Sequence, residues 1–251
     1  MQIQQKEVDF AVKLALTGGK NTLKYFKKDI LVSQKSDKSP VTEADKETES
    51  LMRQLIRAQY PDHGIIGEEE GSEETTSRFC WVIDPIDGTK SFIHQIPLYT
   101  VLVALLVDHK PMVGVIYQPV LDELVWAAVG MGCFYNRKPT SIRPCKSLKD
   151  AWLHTTDTSD LLRTWPKSVE LLNRCGYSRT WGDGYGYLLV ASGRADLMVD
   201  AKVNFWDVAC VEPIITEAGG MISDLQGNEG LGSSCIAGNP VIVKEALELL
   251  A

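Results

Sequence analysis

Two aspartates, Asp84 and Asp87, stand three residues apart at the end of an apolar run, in the stretch "WVIDPIDGTKSF". Pro85 cannot donate a hydrogen bond to a neighbouring strand and fixes φ, so we expect the strand to end there and both carboxylates to converge just beyond it. Two buried negative charges side by side are unfavourable unless a cation lies between them. Because Mg²⁺ prefers oxygen ligands, these carboxylates and the carbonyl of Ile86 predict a divalent-cation site.

The residues that follow favour an anion. Gly88 permits close approach to the backbone, and "TKSF" predicts a short helix from Thr89, whose first N–H groups have no partner within the helix. A cation site beside an anion site indicates a metal-bound phosphate. The alternative is an ordinary turn in which Asp84 and Asp87 only cap backbone N–H groups.

Three other stretches place carboxylates at the ends of predicted elements. Glu68 begins the acidic run of "GEEEG", Asp45 lies in the first turn of a helix in "PVTEADKE", and Asp207 begins an apolar helix in "NFWDVAC". Taken singly, they have ordinary explanations: a solvated acidic loop, a carboxylate at the positive end of a helix, and a helix cap. Together with Asp84 and Asp87, they favour one acidic site.

The composition restricts the class of protein. The chain has 251 residues, 44% of them hydrophobic, and a formal net charge of −7. Nucleic-acid binding would need clustered basic residues, so we expect no nucleic-acid partner. The longest apolar run, residues 98–107, is too short to span a bilayer, and the N-terminus lacks a signal-peptide pattern; we expect no membrane partner and a cytoplasmic location. Six cysteines without a CxxC pair indicate reduced thiols.

Hydrophobic spacing and turn residues predict the elements that position these groups. Helices are expected over 4–28, 42–60, 166–175, 184–193, 206–220 and 240–250. Strands are expected over 64–67, 79–84, 99–107, 111–117, 123–128, 131–135, 151–156, 177–181, 195–200 and 233–239. The first half is typical of a largely antiparallel sheet, and the second alternates strand and helix. We predict a layered α+β or α/β protein, a single domain over 1–251 that could comprise half-domains 1–145 and 146–251.

The quoted stretches resemble the signature motifs of the inositol monophosphatase superfamily, which comprises Mg²⁺-dependent, lithium-sensitive phosphatases. "PVTEAD", "GEEEG", "WVIDPIDGTKSF" and "NFWDVACVEPIITEAGG" follow the family's order over essentially the whole chain. "GTKSF", "WGDGYGYLLVASGRAD" and "VDAKVNFWD" are closer to the histidinol-phosphate phosphatase branch. The resemblance implies an αβαβα sandwich, two or three Mg²⁺ ions, a homodimer, and hydrolysis of L-histidinol phosphate by metal-activated water.

The resemblance also assigns roles to individual residues. Asp45 and Thr89 match the pair that orients or deprotonates the attacking water. The backbone N–H groups of Gly88 and Thr89 would hold the phosphate. Glu68 belongs to the catalytic group as well as to the metal ligands. The metal ligands match a set of five residues: Glu68, Asp84, Ile86 through its carbonyl, Asp87 and Asp207.

The substrate pocket is assigned from the chemistry of the ester. Asp183 and Asp200 could accept hydrogen bonds from the cationic amine and the imidazole of L-histidinol phosphate. Tyr185 could pack on the ring, and family likeness makes Arg179 a candidate for binding the substrate. Asp200 stands where the inositol enzymes usually carry a glutamate, and this shorter side chain disfavours an inositol ester.

Two alternatives stay open. With the same metal site, the protein could be an inositol-1-phosphate phosphatase or a broad sugar-phosphate phosphatase. A non-catalytic regulatory subunit would belong to a different class of protein. It would require a broken metal site, whereas every expected carboxylate is present in this chain.

Overall fold

A computed structural model describes residues 3–36, 38–73 and 75–251 of the chain. The polar loop predicted after "EEEG" includes residue 74, which lies outside the described residues. Within those ranges, no helix combines the length and the apolar character that crossing a membrane requires.

Helices and strands alternate along the chain, with most strands in the first half. The helices are α1 (Gln5–Thr22), α2 (Glu43–Gln59), α3 (Thr89–Ile93), α4 (Thr158–Thr164), α5 (Ser168–Arg174), α6 (Asp183–Ala191), α7 (Phe205–Val208), α8 (Val211–Glu217) and α9 (Pro240–Leu250). The strands of the first half are β1 (Val32–Gln34), β2 (Pro40–Thr42), β3 (Gly64–Gly67), β4 (Gly71–Glu73), β5 (Phe79–Asp87), β6 (Thr100–Val107), β7 (Lys110–Gln118), β8 (Glu123–Ala128), β9 (Gly132–Tyr135) and β10 (Lys138–Pro139). The strands of the second half are β11 (Trp152–His154), β12 (Tyr177–Arg179), β13 (Leu197–Asp200), β14 (Met221–Ser223) and β15 (Cys235–Gly238).

Two sheets carry the fold. The larger has eight strands in the order β10-β9-β8-β7-β6-β5-β3-β4, and all its pairs are antiparallel except β3–β5. The smaller has five strands in the order β12-β11-β13-β15-β14, in which β11 runs parallel to both of its neighbours. Strands β1 and β2 form a separate antiparallel hairpin.

Buried cores on both sides of each sheet define five layers. Helices α1 and α2 pack on one face of the larger sheet, and α6 and α8 fill the space between the sheets. The outer face of the smaller sheet packs against α5 and α9. Because both faces of the larger sheet are covered, β6 is buried along its whole length rather than alternating with polar residues. The predicted layered arrangement is confirmed.

Three predicted elements differ from those observed, and the first is the N-terminal helix. The helix predicted over 4–28 ends at Thr22. The chain then turns so that Phe26 packs on Phe92 and Tyr99, with ring centroids 5.6 and 5.3 Å away. This aromatic packing lies off the axis of α1, so continuing the helix would forfeit it.

The second difference is at Pro85, where the strand was expected to end. β5 instead continues to Asp87, with a register shift between Asp84 and Asp87 against β6. Pro85 has no N–H for the ladder, and the chain bulges around it before Asp87 pairs with Thr100. The bulge leaves the two aspartates able to face one point, as the sequence predicted, although the strand does not stop.

The third difference is the helix predicted over 206–220, which is broken into α7 and α8. Pro213 has no N–H to donate to the carbonyl four residues earlier, at Ala209, which weakens the helix there. The break lets the carbonyl of Cys210 approach Gly114 of β7 so closely that a Cβ on Gly114 would be 2.0 Å from it. Besides these, α4, β1, β2, β4, β10 and β14 are observed but were not predicted.

The division into half-domains remains a prediction. The strands of the larger sheet all come from residues 64–139 and those of the smaller from residues 152–238. Helices α6 and α8 contact strands of both sheets.

Candidate active site

Three aspartates from two distant parts of the chain form a group at the C-terminal end of β5, an interior strand of the larger sheet. Asp84 and Asp87 come from β5, and Asp207 comes from α7. Each offers a carboxylate oxygen, and these oxygens all lie within 4.8 Å of one another. Asp84 and Asp87 are buried, and Asp207 is partly exposed. Oxygen donors at this spacing fit a hard divalent cation such as Mg²⁺.

Backbone and hydroxyl donors orient the three carboxylates. Asp84 accepts the N–H of Ile86 at 2.9 Å, so the bulge itself sets its rotamer. Asp87 accepts the hydroxyl of Thr100 at 3.1 Å and the N–H of Gly184 at the start of α6. Each of these bonds uses one oxygen of the carboxylate, which leaves the other free to face the group.

Asp207 is held by a capping box. One of its oxygens accepts the backbone N–H of Asn204 at 2.7 Å, and the Asn204 side chain caps α7 in return. The helix-cap explanation considered for Asp207 is therefore correct for one of its two carboxylate oxygens. The capping bonds involve only Oδ2 of Asp207, so they leave Oδ1 available to the group with Asp84 and Asp87.

The electrostatics of the group call for a cation. Burial raises the pKa of Asp84 well above its ordinary value, and the charges of Glu68 and Asp87 raise it further. Burial likewise raises the pKa of Asp87, with Asp183 and Asp207 adding to the effect. The pKa of Asp207 rises to about 7, again mainly through burial. Without a positive charge among them, these carboxylates disfavour ionisation, and a bound divalent cation would reverse that preference.

Glu68 lies beside the three aspartates but is held by a lysine. Its negative charge raises the pKa of Asp84, Asp207 and Asp45. Its carboxylate accepts a hydrogen bond from Lys35 Nζ at 2.6 Å, and the same lysine binds Glu69 at 2.7 Å. The Glu68 carboxylate is outside the group of three whose oxygens lie within 4.8 Å.

Asp45 and Thr89, which the family resemblance matches to a water-activating pair, lie next to each other. Thr42 donates both its N–H, at 2.8 Å, and its hydroxyl, at 2.5 Å, to Asp45 Oδ2. The other oxygen, Oδ1, is 3.4 Å from the Thr89 hydroxyl, which also lies 3.1 Å from the Ile86 carbonyl. Asp45 is fully buried, and burial raises its pKa to about 6 despite the bonds from Thr42.

Gly88 and Thr89 begin the short helix that the sequence predicted. Gly88 adopts a left-handed backbone conformation, φ 86°, and precedes α3 directly. A Cβ at this position would lie 3.0 Å from Asp183 Oδ2. Glycine therefore satisfies two requirements at once: the backbone turn into α3, and the closeness of Asp183 to the aspartate group.

A small cavity adjoins the aspartates and contains the predicted Asp183 and Asp200. Asp200 is 5% exposed, and both of its oxygens have protein donors: the N–H of Thr156 at 3.0 Å and the hydroxyl of Tyr187 at 2.9 Å. Thr156 in turn accepts the N–H of Asp183 at 2.7 Å. The residues that line the cavity are Asp87, Thr156, Asp183, Gly184, Tyr187, Asp200, Lys202, Val203 and Asp207.

Asp183 is the more available of the two carboxylates. It begins α6 in a left-handed conformation, φ 51°, which is unusual for a residue with a side chain. Burial raises its pKa to about 7, and the charge of Asp200 adds to the effect, while Lys90 opposes it. A cationic group of a ligand in this cavity would relieve the repulsion between Asp183 and Asp200.

The structure does not bring Tyr185 or Arg179 to this cavity. Tyr185 is two residues beyond Asp183 in α6, so it points to the opposite side of the helix, into the core near Glu123 and Arg194. Arg179 is exposed at the edge strand β12, and its guanidinium lies over the ring of Tyr177, 3.9 Å from the centroid. Neither position supports the substrate contact expected from the sequence.

Tyr187 and Thr156 belong to the site and were missed. Tyr187 follows Asp183 by four residues, the helical spacing that places two side chains on one face, so helix phase could have identified it. Thr156 closely follows β11, next to the parallel strand β13 that ends at Asp200. Lys35 carried no signal, because its contact with Glu68 spans 33 residues and depends on the β1–β2 hairpin.

Fold and site together define a class of protein. A layered α+β chain with a buried carboxylate cluster beside a helix N-terminus suits a metal-dependent phosphomonoesterase. A profile of the inositol monophosphatase family matches residues 4–251, and the protein belongs to that family. Its members are metal-dependent phosphatases, and this chain is a phosphoric monoester hydrolase.

Relatives of known name share this assignment. The chain is 40% identical over 240 residues to a histidinol-phosphatase of Chlorobaculum parvum, covering 93% of this chain and 92% of the relative. It is 36% identical over 189 residues to an inositol-1-monophosphatase of Synechocystis, covering 73% of this chain and 66% of the relative. The IMPase structure of Thermotoga maritima superposes with a TM-score of 0.91 at 29% identity, covering 98% of this chain and 96% of that one.

Proposed function

We propose that the protein hydrolyses L-histidinol phosphate to L-histidinol and phosphate in a Mg²⁺-dependent reaction. The observation that carries the proposal is the pair of carboxylates, Asp183 and Asp200, in the cavity beside Asp84, Asp87 and Asp207. L-Histidinol phosphate carries an ammonium group and a titratable imidazole, whereas an inositol phosphate carries only hydroxyl groups beside its phosphate. The negative charge of these two carboxylates, with Asp183 available for a direct bond, therefore favours the cationic ester. The histidinol-phosphatase relative supports the same choice.

The metal would be held by carboxylates and one carbonyl. Asp84, Asp87 and Asp207 supply the closest oxygens, and Glu68 and the carbonyl of Ile86 complete the proposed set. When bound, Mg²⁺ supplies a Lewis acid that lowers the pKa of water and neutralises charge on the phosphate.

The remaining groups act on the water and the phosphate. The Thr89 hydroxyl can donate to Asp45 Oδ1, which leaves its oxygen lone pair to accept a hydrogen bond from the attacking water. Asp45 is held by two donors from Thr42, so it keeps Thr89 in one orientation. The backbone N–H groups of Gly88, just before α3, and of Thr89, its first residue, would bind phosphate oxygens in this scheme.

Asp200 has a positioning role in this scheme. Its two oxygens are occupied by Thr156 and Tyr187, so Asp183 is the carboxylate that would bind the substrate amine. Thr156 links the two, because its N–H binds Asp200 and its hydroxyl accepts from Asp183.

The experiment is a comparison of kcat/KM for L-histidinol phosphate and myo-inositol 1-phosphate with Mg²⁺ present. We expect the wild-type protein to prefer L-histidinol phosphate by about 100-fold or more. Asp183→Asn should lower kcat/KM for that ester about 10- to 100-fold, because a charge-assisted bond of about 1.5–3 kcal/mol is lost. It should change the value for the inositol ester much less.

The matched control is Asp9→Asn, which removes an exposed carboxylate from α1, far from the cavity. It should leave both values unchanged. Equal rates on the two esters, or a preference for the inositol ester, would overturn the substrate assignment and favour the inositol phosphatase alternative, to which the Synechocystis relative also points. Inhibition by millimolar Li⁺ and a homodimer in solution are further expectations from the family resemblance.

A further inference from the structure

A buried ion pair on α2 holds the turn that carries Glu68. Glu49 and Arg53 are one helical turn apart, and both are 0% exposed. Arg53 Nε donates to Glu49 Oε1 at 2.9 Å. Neither residue belongs to the metal group, the water-activating pair or the substrate cavity.

The Glu49 carboxylate binds the backbone immediately after Glu68. Its Oε2 accepts the N–H of Glu69 at 2.8 Å, and its Oε1 accepts the N–H of Glu70 at 2.9 Å. Two successive N–H groups thus converge on one carboxylate, which fixes the path of the chain as it leaves β3.

Arg53 extends the same grip further along the turn. One guanidinium nitrogen donates to the carbonyl of Gly71 at 2.5 Å, and another donates to Glu73 at 2.8 Å. Glu73 also binds Arg57, the next turn of α2. Residues 69–73 are therefore bound to the helix at four points, and the first of them adjoins Glu68.

The chain before Glu68 is shaped to the same pair. A Cβ on Gly67 would lie 2.3 Å from Glu49 Oε1 and 2.7 Å from an Arg53 guanidinium nitrogen. Position 67 therefore admits no side chain while the pair stays where it is. Glu68 therefore lies between Gly67, which packs against Glu49, and Glu69 and Glu70, whose N–H groups bind Glu49.

An ion pair is a poor way to stabilise a protein core, because removing both charges from water is unfavourable and an apolar pair of the same volume would pack as well. Beyond packing, Glu49 and Arg53 fix the course of the chain, since three of the four bonds that they make to this turn hold a backbone group and the fourth holds the Glu73 side chain. The groups they fix all lie within five residues of Glu68.

We propose that Glu49, itself oriented by Arg53, is a positioning residue that sets the backbone of the Glu68 turn so that the Glu68 carboxylate faces Asp84 and Asp207. This inference rests on the proposed function in taking Glu68 as a metal ligand. Loss of Glu49 then weakens metal binding and leaves the chemistry at saturating metal nearly unchanged.

The test is Glu49→Gln in the full-length protein. Gln keeps the shape but presents an NH₂ group to donors, so at least one of the two backbone bonds is lost. Protein stripped with EDTA is titrated with Mg²⁺ by calorimetry, and phosphate release is measured as a function of Mg²⁺ concentration. We expect the Kd for Mg²⁺ and the Mg²⁺ concentration at half-maximal rate to rise about tenfold or more, with kcat at saturating Mg²⁺ within about threefold of wild type.

The matched control is Asp196→Asn. Asp196, just before β13, is another fully buried carboxylate, and it accepts hydrogen bonds from the Arg143 guanidinium at 2.5 Å and from the backbone N–H of Trp152 at 2.8 Å. It should lower the Tm as Glu49→Gln does and leave the Kd for Mg²⁺ within about twofold. This comparison separates positioning from general loss of stability.

A folded Glu49→Gln protein with wild-type Mg²⁺ affinity would overturn the proposal, as would an equal loss of affinity in Asp196→Asn. If Glu49→Gln fails to fold, Arg53→Lys takes its place. Lys keeps the charge opposite Glu49 but cannot make all the bonds of the guanidinium, so the Kd should rise about threefold or more, and an unchanged Kd is again contrary. A wild-type protein that binds Mg²⁺ but cleaves neither ester refutes the proposed function, while the calorimetry still decides the role of Glu49.

Discussion

Asp84→Asn is expected to abolish activity and, without metal, to make the protein more stable. The oxygens of Asp84, Asp87 and Asp207 lie within 4.8 Å of one another. At that separation and an effective dielectric constant of about 20, each like-charged pair repels by roughly 3.5 kcal/mol. Protonation relieves part of this repulsion, because the pKa of Asp84 is raised well above its ordinary value by burial. We therefore expect a net gain of about 1–3 kcal/mol in the free energy of unfolding at pH 8.

Asn preserves the local geometry, so the effect on charge can be isolated. Asp84 accepts the N–H of Ile86 at 2.9 Å, and the Asn carbonyl oxygen can accept the same bond. In Mg²⁺ the order should reverse, because the wild-type protein gains the binding free energy of the ion and the variant loses a ligand. Turnover should fall at least about 100-fold, since a proposed ligand to the catalytic ion is neutralised.

The assay is urea unfolding at pH 8, once with EDTA and once with saturating Mg²⁺, together with phosphate release. Asp196→Asn serves as the control, and its expected effect on stability has the opposite sign. Because Arg143 neutralises the buried Asp196 carboxylate, the substitution should lower the free energy of unfolding both in EDTA and in Mg²⁺. If Asp84→Asn is less stable than wild type in EDTA, or retains wild-type turnover, the three aspartates are not the metal site described above.

Two further predictions concern the pH dependence of stability and the turn at Gly88. In EDTA the protein should become more stable by on the order of 2–4 kcal/mol as the pH falls from 8 to 5, measured by urea unfolding. The pKa values of Asp45 and Asp207 are raised to about 6 and about 7 from an ordinary 3.8, so the folded state binds more protons than the unfolded state across this range; a flat profile would contradict these shifts. Gly88→Ala should lower kcat/KM about 100-fold or more, because a side chain there needs φ 86° and would lie 3.0 Å from Asp183 Oδ2. Near-normal kinetics would show that the turn tolerates a side chain.

The acidic site was predictable to the extent that its geometry is local. Four consecutive positions contain Asp84, Ile86 and Asp87. The proline between the aspartates indicates that regular strand pairing is interrupted there. Asp45 and Asp207 were each recognisable as helix starts, and both do cap helices. The prediction that these features come together in one site depended on the family resemblance, because no residue pattern indicates which helix start lies beside which strand.

The parts that failed depend on packing between distant segments. Tyr185 was preferred to Tyr187, although the helical period from Asp183 selects Tyr187. The prediction of a continuous helix over 206–220 was wrong because the helix breaks where the carbonyl of Cys210 approaches Gly114 of β7, a contact that the sequence does not reveal. The hydrogen bonds from the backbone after Glu68 to Glu49 span some twenty residues. They involve a surface of α2 that the sequence shows only to be charged.

The bond from the N–H of Gly184 to Asp87 has a consequence for how the protein reaches its folded state. It joins residues 97 positions apart and ties the start of α6 to the bulge of β5. Asp207 closes the same group from still further along the chain. Contacts of such high sequence separation form late, because a long loop must close before they contribute. We therefore expect Mg²⁺ to slow unfolding far more than it speeds refolding, because proposed ligands as far apart along the chain as Asp87 and Asp207 would meet late in folding.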